Sequence, residues 1–227
     1  MTSRLLVHIG IPVLVAALAI LSEYSGFDLW LAGHFYDATT QTWPYSSLFI
    51  TTTILHTGAK NLLVLIALIN LLAIPASWFI PKLAPYRKHL IYILVAGLTG
   101  TLLVSELKSL THIYTPWDLA LFNGEHPYIR LFDPVPPGAE VGYGFPGGHS
   151  SGGFAYLGLY FVLMLHHHPL RKYGLIIPLV TGIILSLTQE IRGAHFLSHD
   201  MFSFVICWSS ALIWSWIFYP NLNRSNV

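Results

Sequence analysis

The chain has 227 residues, of which 54% are hydrophobic and only 9% charged, with a mean hydropathy of +0.62; a soluble domain carries about 25% charge, so a soluble protein is excluded. The length excludes two substantial membrane domains and predicts one, spanning residues 1–227, while a single cysteine, Cys207, excludes an internal disulfide. The net charge of +1 says nothing until it is placed along the chain.

Six runs contain no Asp, Glu, Lys or Arg: Leu5–Ser22, Asn61–Ile80, His89–Ser105, Ser151–Leu170, Tyr173–Gln189 and Met201–Tyr219. Each approaches the length needed to cross a hydrocarbon core of about 30 Å. They predict an all-α, polytopic membrane protein with six transmembrane helices. The third and fifth runs are short, so their helices should extend into flanking residues. The first run is long for the apolar part of a cleaved signal, and Leu21-Ser22-Glu23-Tyr24 lacks a small-x-small cleavage site. The charges then separate by side. Arg4, Lys82, Arg87, Lys88, Arg171, Lys172 and Arg224 fall on the face shared by the two termini, and all ten acids fall on the other. Basic residues flanking short loops stay in the cytoplasm, so both termini are expected to be cytoplasmic.

Between the first two runs, Glu23–Ala59 is expected to form an outer segment. Its Phe27, Leu29, Trp30, Leu31 and Phe35 fit a helix lying in the interface, with Trp30 and Trp43 in the headgroup zone. Short basic turns follow at Pro81–Lys88 and His166–Lys172. The His166-His167-His168 run reads as interfacial histidines beside such a turn rather than as a metal site. The longest outer loop, Leu107–Gly148, is rich in Pro, Gly and aromatics and is expected to be ordered.

Two junctions between polar loops and apolar runs carry histidines. One is Gly142-Tyr143-Gly144-Phe145-Pro146-Gly147-Gly148-His149-Ser150; the other is Arg192-Gly193-Ala194-His195-Phe196-Leu197-Ser198-His199-Asp200. Two histidines at the ends of membrane helices, beside glycines that expose backbone N–H groups, are equipped to clamp and attack a phosphate.

Lys108, followed after six residues by Thr115-Pro116, then Pro146-Gly147-Gly148-His149, then His195 resemble the three signatures of the type 2 phosphatidic acid phosphatase superfamily. Those read Lys-x6-Arg-Pro, Pro-Ser-Gly-His and Ser-Arg-x5-His-x3-Asp. The wording Pro116-Trp117-Asp118-Leu119 and Gly193–His199 is similar to a bacterial subgroup of its membrane branch, and Leu31–Tyr36 to the start of some lipid A phosphatases. The resemblance implies a two-step transfer with no metal and no cofactor, in which His195 attacks phosphorus and His149 protonates the leaving oxygen. Lys108 would supply charge to the phosphate, and Gly147, Gly148 and Ser150 backbone donors.

Four positions depart from the pattern. Thr115 stands at the first arginine, Gly147 at the serine, Gln189 at the second arginine and His199 at the aspartate. Arg192 lies three residues after Gln189, so on a helix the two are neighbours, and its planar fork suits a phosphate; it is the expected substitute. On a continuous helix His199 would sit at about 40° from His195 and Asp200 at about 140°. A neutral His199 would then orient His195, while Asp200 would do so only if the helix starts late. Asp118 reads as a fold-holding residue of its loop, with orientation of a histidine as the alternative. Glu106 and Glu190 are expected to form ion pairs with Lys108 and Arg192, and Lys60 and Arg130 to reach for water.

Two rival readings stand beside the phosphatase. His195 and His199 at i, i+4 have the spacing of helical zinc ligands, although Phe196 occupies the place of the usual glutamate. The missing arginines and aspartate also fit a non-catalytic protein that binds or moves a lipid phosphate. The expected partners are the bilayer and a lipid phosphomonoester or pyrophosphate of the lipid A, undecaprenyl pyrophosphate or phosphatidylglycerol phosphate class, with no nucleic acid. In a bacterium this predicts an inner-membrane protein whose site faces the periplasm.

Overall fold

A computed structural model describes residues 3–220, with side chains from Leu6 onward; Arg224, the side chain of Arg4 and the two chain ends, on which the expected sidedness partly rests, lie outside the described residues. All regular structure among them is helical, apart from the isolated bridges Asp37–Thr42 and Leu119–His126. The main elements are α1 (Ser3–Tyr24), α2 (Phe27–Gly33), a π-helical segment (Ile50–Gly58) running into α3 (Ala59–Ala76), α4 (Arg87–Leu110), α5 (Gly148–Phe154), α6 (Gly158–Leu165), α7 (Arg171–Ile191) and α8 (Leu197–Phe218). Among the described residues five stretches are long and apolar enough to cross a membrane: Leu6–Tyr24, Ile50–Ala76, Ala84–Leu110, Arg171–Ile191 and Leu197–Phe218. In lipid every backbone polar group must be satisfied within its own segment, which leaves helix as the state open to such runs. The third and fifth runs do extend into flanking residues, α4 from Arg87 and α7 from Arg171.

Two expectations are corrected. The run Ser151–Leu170 is not one long helix. It breaks at a tight turn over Ala155–Leu157 and ends at Leu165. The break lies where α5 packs on α7: Gly153 lies against the backbone of Gly182, and Gly182 against the ring of Phe154, a backbone-to-backbone approach that small residues allow in membrane bundles. The second span begins at Ile50 rather than Asn61, which removes the end of the supposed outer segment. Within this segment Thr57 Oγ1 donates to the carbonyl of Thr52, five residues back, at 3.0 Å, and Thr52 Oγ1 to that of Leu48 at 2.8 Å.

The core lies among α1, α4, α6 and α8, where Tyr92, Leu157, Phe161 and Trp208 are fully buried. Polar atoms brought inside find carbonyls. Trp208 Nε1 donates to His8 O at 2.9 Å, Tyr92 OH to Ala211 O at 2.8 Å and Ser210 Oγ to Ala96 O at 2.8 Å. By contrast, no residue of α3 is buried; two bonds tie it to the bundle, from Asn70 Nδ2 to Leu90 O and from Tyr156 OH to Leu63 O. A second cluster of Ala32, Trp43, Tyr114, Leu119, Ile129 and Phe196 closes the loop end. Trp43 is therefore part of a packed cap, while Trp30 stays exposed. Gly193, at φ +80°, accepts the face of Trp43 where any Cβ would collide.

Candidate active site

Three chain segments meet under this cap. The end of α4 carries Lys108; residues 111–113 then run beside 142–144, with Gly142 N–H bonded to Thr111 O at 3.0 Å and Gly144 N–H to Ile113 O at 2.9 Å. The approach is so close that a Cβ at Gly142 or Gly144 would overlap the Ile113 carbonyl. The start of α5 is clamped onto α8. Gly147 N–H donates to His199 O at 3.0 Å, Ser203 Oγ donates to Gly147 O at 2.7 Å, and Ser150 Oγ donates to Asp200 Oδ1 at 2.6 Å. Gly147 thus has no free N–H for a phosphate, which corrects one expected donor. Gly148 does better: Lys108 Nζ stands 3.7 Å from where its Cβ would be, and the first-turn N–H groups have no partner within the helix.

His195 lies before α8, in the extended stretch ahead of the N-cap Phe196. It is 5% exposed. Burial holds its imidazole well below the usual histidine value, with Lys108, His199 and His149 adding to the effect and the Gly144 carbonyl opposing it. It is therefore neutral near pH 7, the state a nitrogen nucleophile requires. His149 faces His56, Lys108, Lys60 and Arg192, so an arriving phosphate anion is what favours its protonated form. Arg192 caps α7 with its guanidinium fixed twice, Nη1 donating to Gln189 Oε1 at 3.0 Å and Nε to Ser46 O at 3.3 Å.

The expected orienting residues are not bonded to His195. The late start of α8 removes the shared helical face, so His199 meets His195 edge-on with ring centroids 5.9 Å apart, and the Nδ1 atoms of both lack a partner. Asp200 turns to Ser150 instead. Asp118 is bonded to the hydroxyl and N–H of Thr115 within its own loop. The same geometry removes the helical His195–His199 zinc pair, and among the described residues no group of three or more His, Cys, Asp or Glu is placed to hold a metal. Neither Glu106 nor Glu190 forms its expected ion pair; among the described residues the ion pair within 4.0 Å is Arg130–Asp133, so Arg130 is paired rather than simply reaching for water.

Sequence reasoning missed two residues of this site. His56, on the π-helical segment, stacks on His149 with ring centroids 4.0 Å apart and planes 31° from parallel. Lys60, one turn on, is among the charges facing both rings. Their i, i+4 spacing was the available signal, but the stretch read as an outer segment. The site also gathers buried polar atoms that no protein group satisfies: both oxygens of Glu190, Asp200 Oδ2, Gln189 Nε2, His149 Nε2 and the two Nδ1 atoms above. Each such group costs about 1–3 kcal/mol when left alone, and concentrations of them mark functional places rather than well-packed ones.

Long apolar helices that gather histidines and cations at one end define a multi-pass membrane protein with a polar site built from helix termini. The PAP2 superfamily model matches residues 88–223, more than half of the chain, and the chain belongs to that superfamily. Its members hydrolyse phosphomonoesters and act on lipid phosphates. No curated protein and no solved structure matches the chain.

Proposed function

We propose that the protein is a lipid phosphatase, removing or transferring a phosphate of a lipid phosphomonoester or pyrophosphate through a phosphohistidine on His195. The observation that carries this is the convergence of Lys108, His149 and a buried, neutral His195 from three separate segments. A ring nitrogen of His195 attacks phosphorus as the bond to the leaving oxygen breaks, and the protonated His149 gives that oxygen its proton. Water then attacks the phosphohistidine while His149 takes the water's proton, which returns both rings to their first state. Lys108, the N–H groups of Gly148 and Ser150, and Arg192 serve the equatorial oxygens. No metal takes part.

The whole chain, residues 1–227, acts as one domain with six crossings, the broken α5–α6 unit being the sixth. Both termini are cytoplasmic and the site faces the periplasm of a bacterial inner membrane. The basic residues Lys82, Arg87, Lys88, Arg171 and Lys172 at the opposite loops support that orientation. An apolar groove of about 270 Å³ between α3 and α4, reaching Gly152 one turn below His149, is suited to an acyl or prenyl chain.

The test is phosphate release by purified protein from lipid A phosphate, undecaprenyl pyrophosphate and phosphatidylglycerol phosphate, with and without a chelator. Release from at least one, unchanged by chelator, is expected; release that requires added metal overturns the mechanism. The alternative is a protein that binds lipid phosphate without turnover, favoured by the missing acceptor at His195 Nδ1. Acid-quenched labelling of His195 decides between them.

Arg192 gives a sharper expectation. Its two anchoring bonds leave Nη2 for a phosphate oxygen, and a lysine cannot hold both anchors and the ligand. Arg192→Lys should slow turnover by roughly 10²–10³, the effect of one lost transition-state donor. Turnover within about threefold of the parent would instead assign Arg192 to holding the loop near Ser46, since a transition-state contact costs far more.

A further inference from the structure

The phosphate pocket of this chain lacks a cation where Thr115 stands, and Thr115 is committed to Asp118. Arg130 and His112, the other basic candidates of that loop, are also committed elsewhere, to Asp133 and to the Glu140 carbonyl. Another element supplies charge instead. The π-helical segment packs beside the end of α7, where Arg192 reaches Ser46 just ahead of it, and it delivers His56 onto the face of His149. His56 is half-buried and Lys60 exposed. Neither has a carboxylate within ion-pairing distance among the described residues, and the charges that face His56 are Arg192 and Lys60, both cations. Arg192 and Lys60, both turned toward the same ring with no protein anion between them, repel one another, and the arrangement is relieved when an anion sits there. A nine-residue π-helix is a rare form that is frequent at functional sites, and here it is what carries His56 to the site.

We propose that His56 and Lys60 are phosphate-binding residues that replace the cation missing at Thr115, with the His56 ring N–H contacting a phosphate oxygen from beside His149. The inference rests on the phosphatase reading above and adds to it a second binding wall, contributed by the helix that also lines the apolar groove. A substrate would then have its headgroup and its chain held by one and the same span.

The test uses the full-length protein in detergent, with phosphate release from a short-chain lipid phosphomonoester and competitive inhibition by inorganic phosphate as the two readouts. His56→Phe keeps a flat ring to lie against His149 but removes the N–H donor. It should raise KM and the inhibition constant of phosphate together by about 10-fold to 100-fold, the loss expected for a charge-assisted hydrogen bond, with kcat changed far less. Lys60→Gln, at an exposed position where folding is not at risk, should raise both constants by about threefold, as one solvent-exposed charge contact does. A purely structural His56 would lower the melting temperature and leave both constants alone. Constants within about twofold of the parent in His56→Phe, or in Lys60→Gln should His56→Phe fail to fold, overturn the inference while the phosphatase reading stands, because a lost contact would exceed that change. Parent protein that neither releases nor binds phosphate overturns both.

Discussion

Replacing His195 by alanine is expected to abolish phosphate release from every substrate, because in the proposed mechanism its ring nitrogen forms the bond to phosphorus. Losses of about 10⁴-fold or more accompany removal of such a group. His149→Ala should behave differently. Its role as acid depends on how much the leaving oxygen needs a proton, so with a lipid alcohol the loss should be about 10²–10⁴-fold. With p-nitrophenyl phosphate, whose leaving group departs without a proton, the first step should survive. The phosphohistidine would then accumulate in His149→Ala, since its hydrolysis needs a base. Equal losses on the two substrates, or full activity in either variant, would sink the division of roles.

Gly147→Ser, which restores the residue the superfamily pattern carries, should be damaging in this chain. A Cβ at position 147 would overlap Asp200 Oδ1 and come within 2.9 Å of Ser150 Oγ. Asp200 is 2% exposed and held by Ser150, so it can yield to the new side chain only by giving up that hydrogen bond. Overpacking of this kind costs about 1–3 kcal/mol, and the broken hydrogen bond adds about 1 kcal/mol. Melting temperature and turnover should fall together. The double change Gly147→Ser with Asp200→Ala makes room and should recover much of the lost stability, a coupling that separate sites would not show. A single variant that melts like its parent would mean that the contact yields, and the explanation for Gly147 would fail.

The long helices were readable because a run without charge leaves the backbone one way to satisfy itself in lipid. The break between α5 and α6 was not. Its glycines permit a helix as readily as a bend, and the contact beside it joins Gly182 to Phe154, on elements close in space but distant in sequence. Lys108, His149 and His195 stood out because ionisable side chains at the ends of apolar runs are conspicuous. His199 and Asp200 were harder, since their directions depend on where α8 begins. A start at Leu197 rather than before His195 sends Asp200 to Ser150 and leaves His199 edge-on. His56 was hidden for a related reason. The threonines of Ile50–Gly58 equally suit a loop, because their hydroxyls can bond nearby backbone in either state, and only a helix there gives the histidine a direction.

With the groove between α3 and α4 as the proposed seat of the substrate's chain, the protein meets its lipid in two dimensions rather than three. A molecule confined to one leaflet approaches such an opening by moving within the plane. What governs occupancy is then the number of substrate molecules per neighbouring lipid rather than per litre. Inert detergent or lipid added at constant total substrate dilutes the surface and slows the encounter, although nothing has been inhibited. Comparisons between vesicles, micelles and native membranes therefore have meaning on a mole-fraction scale, and bulk molarity is the wrong axis on which to rank the candidate lipids.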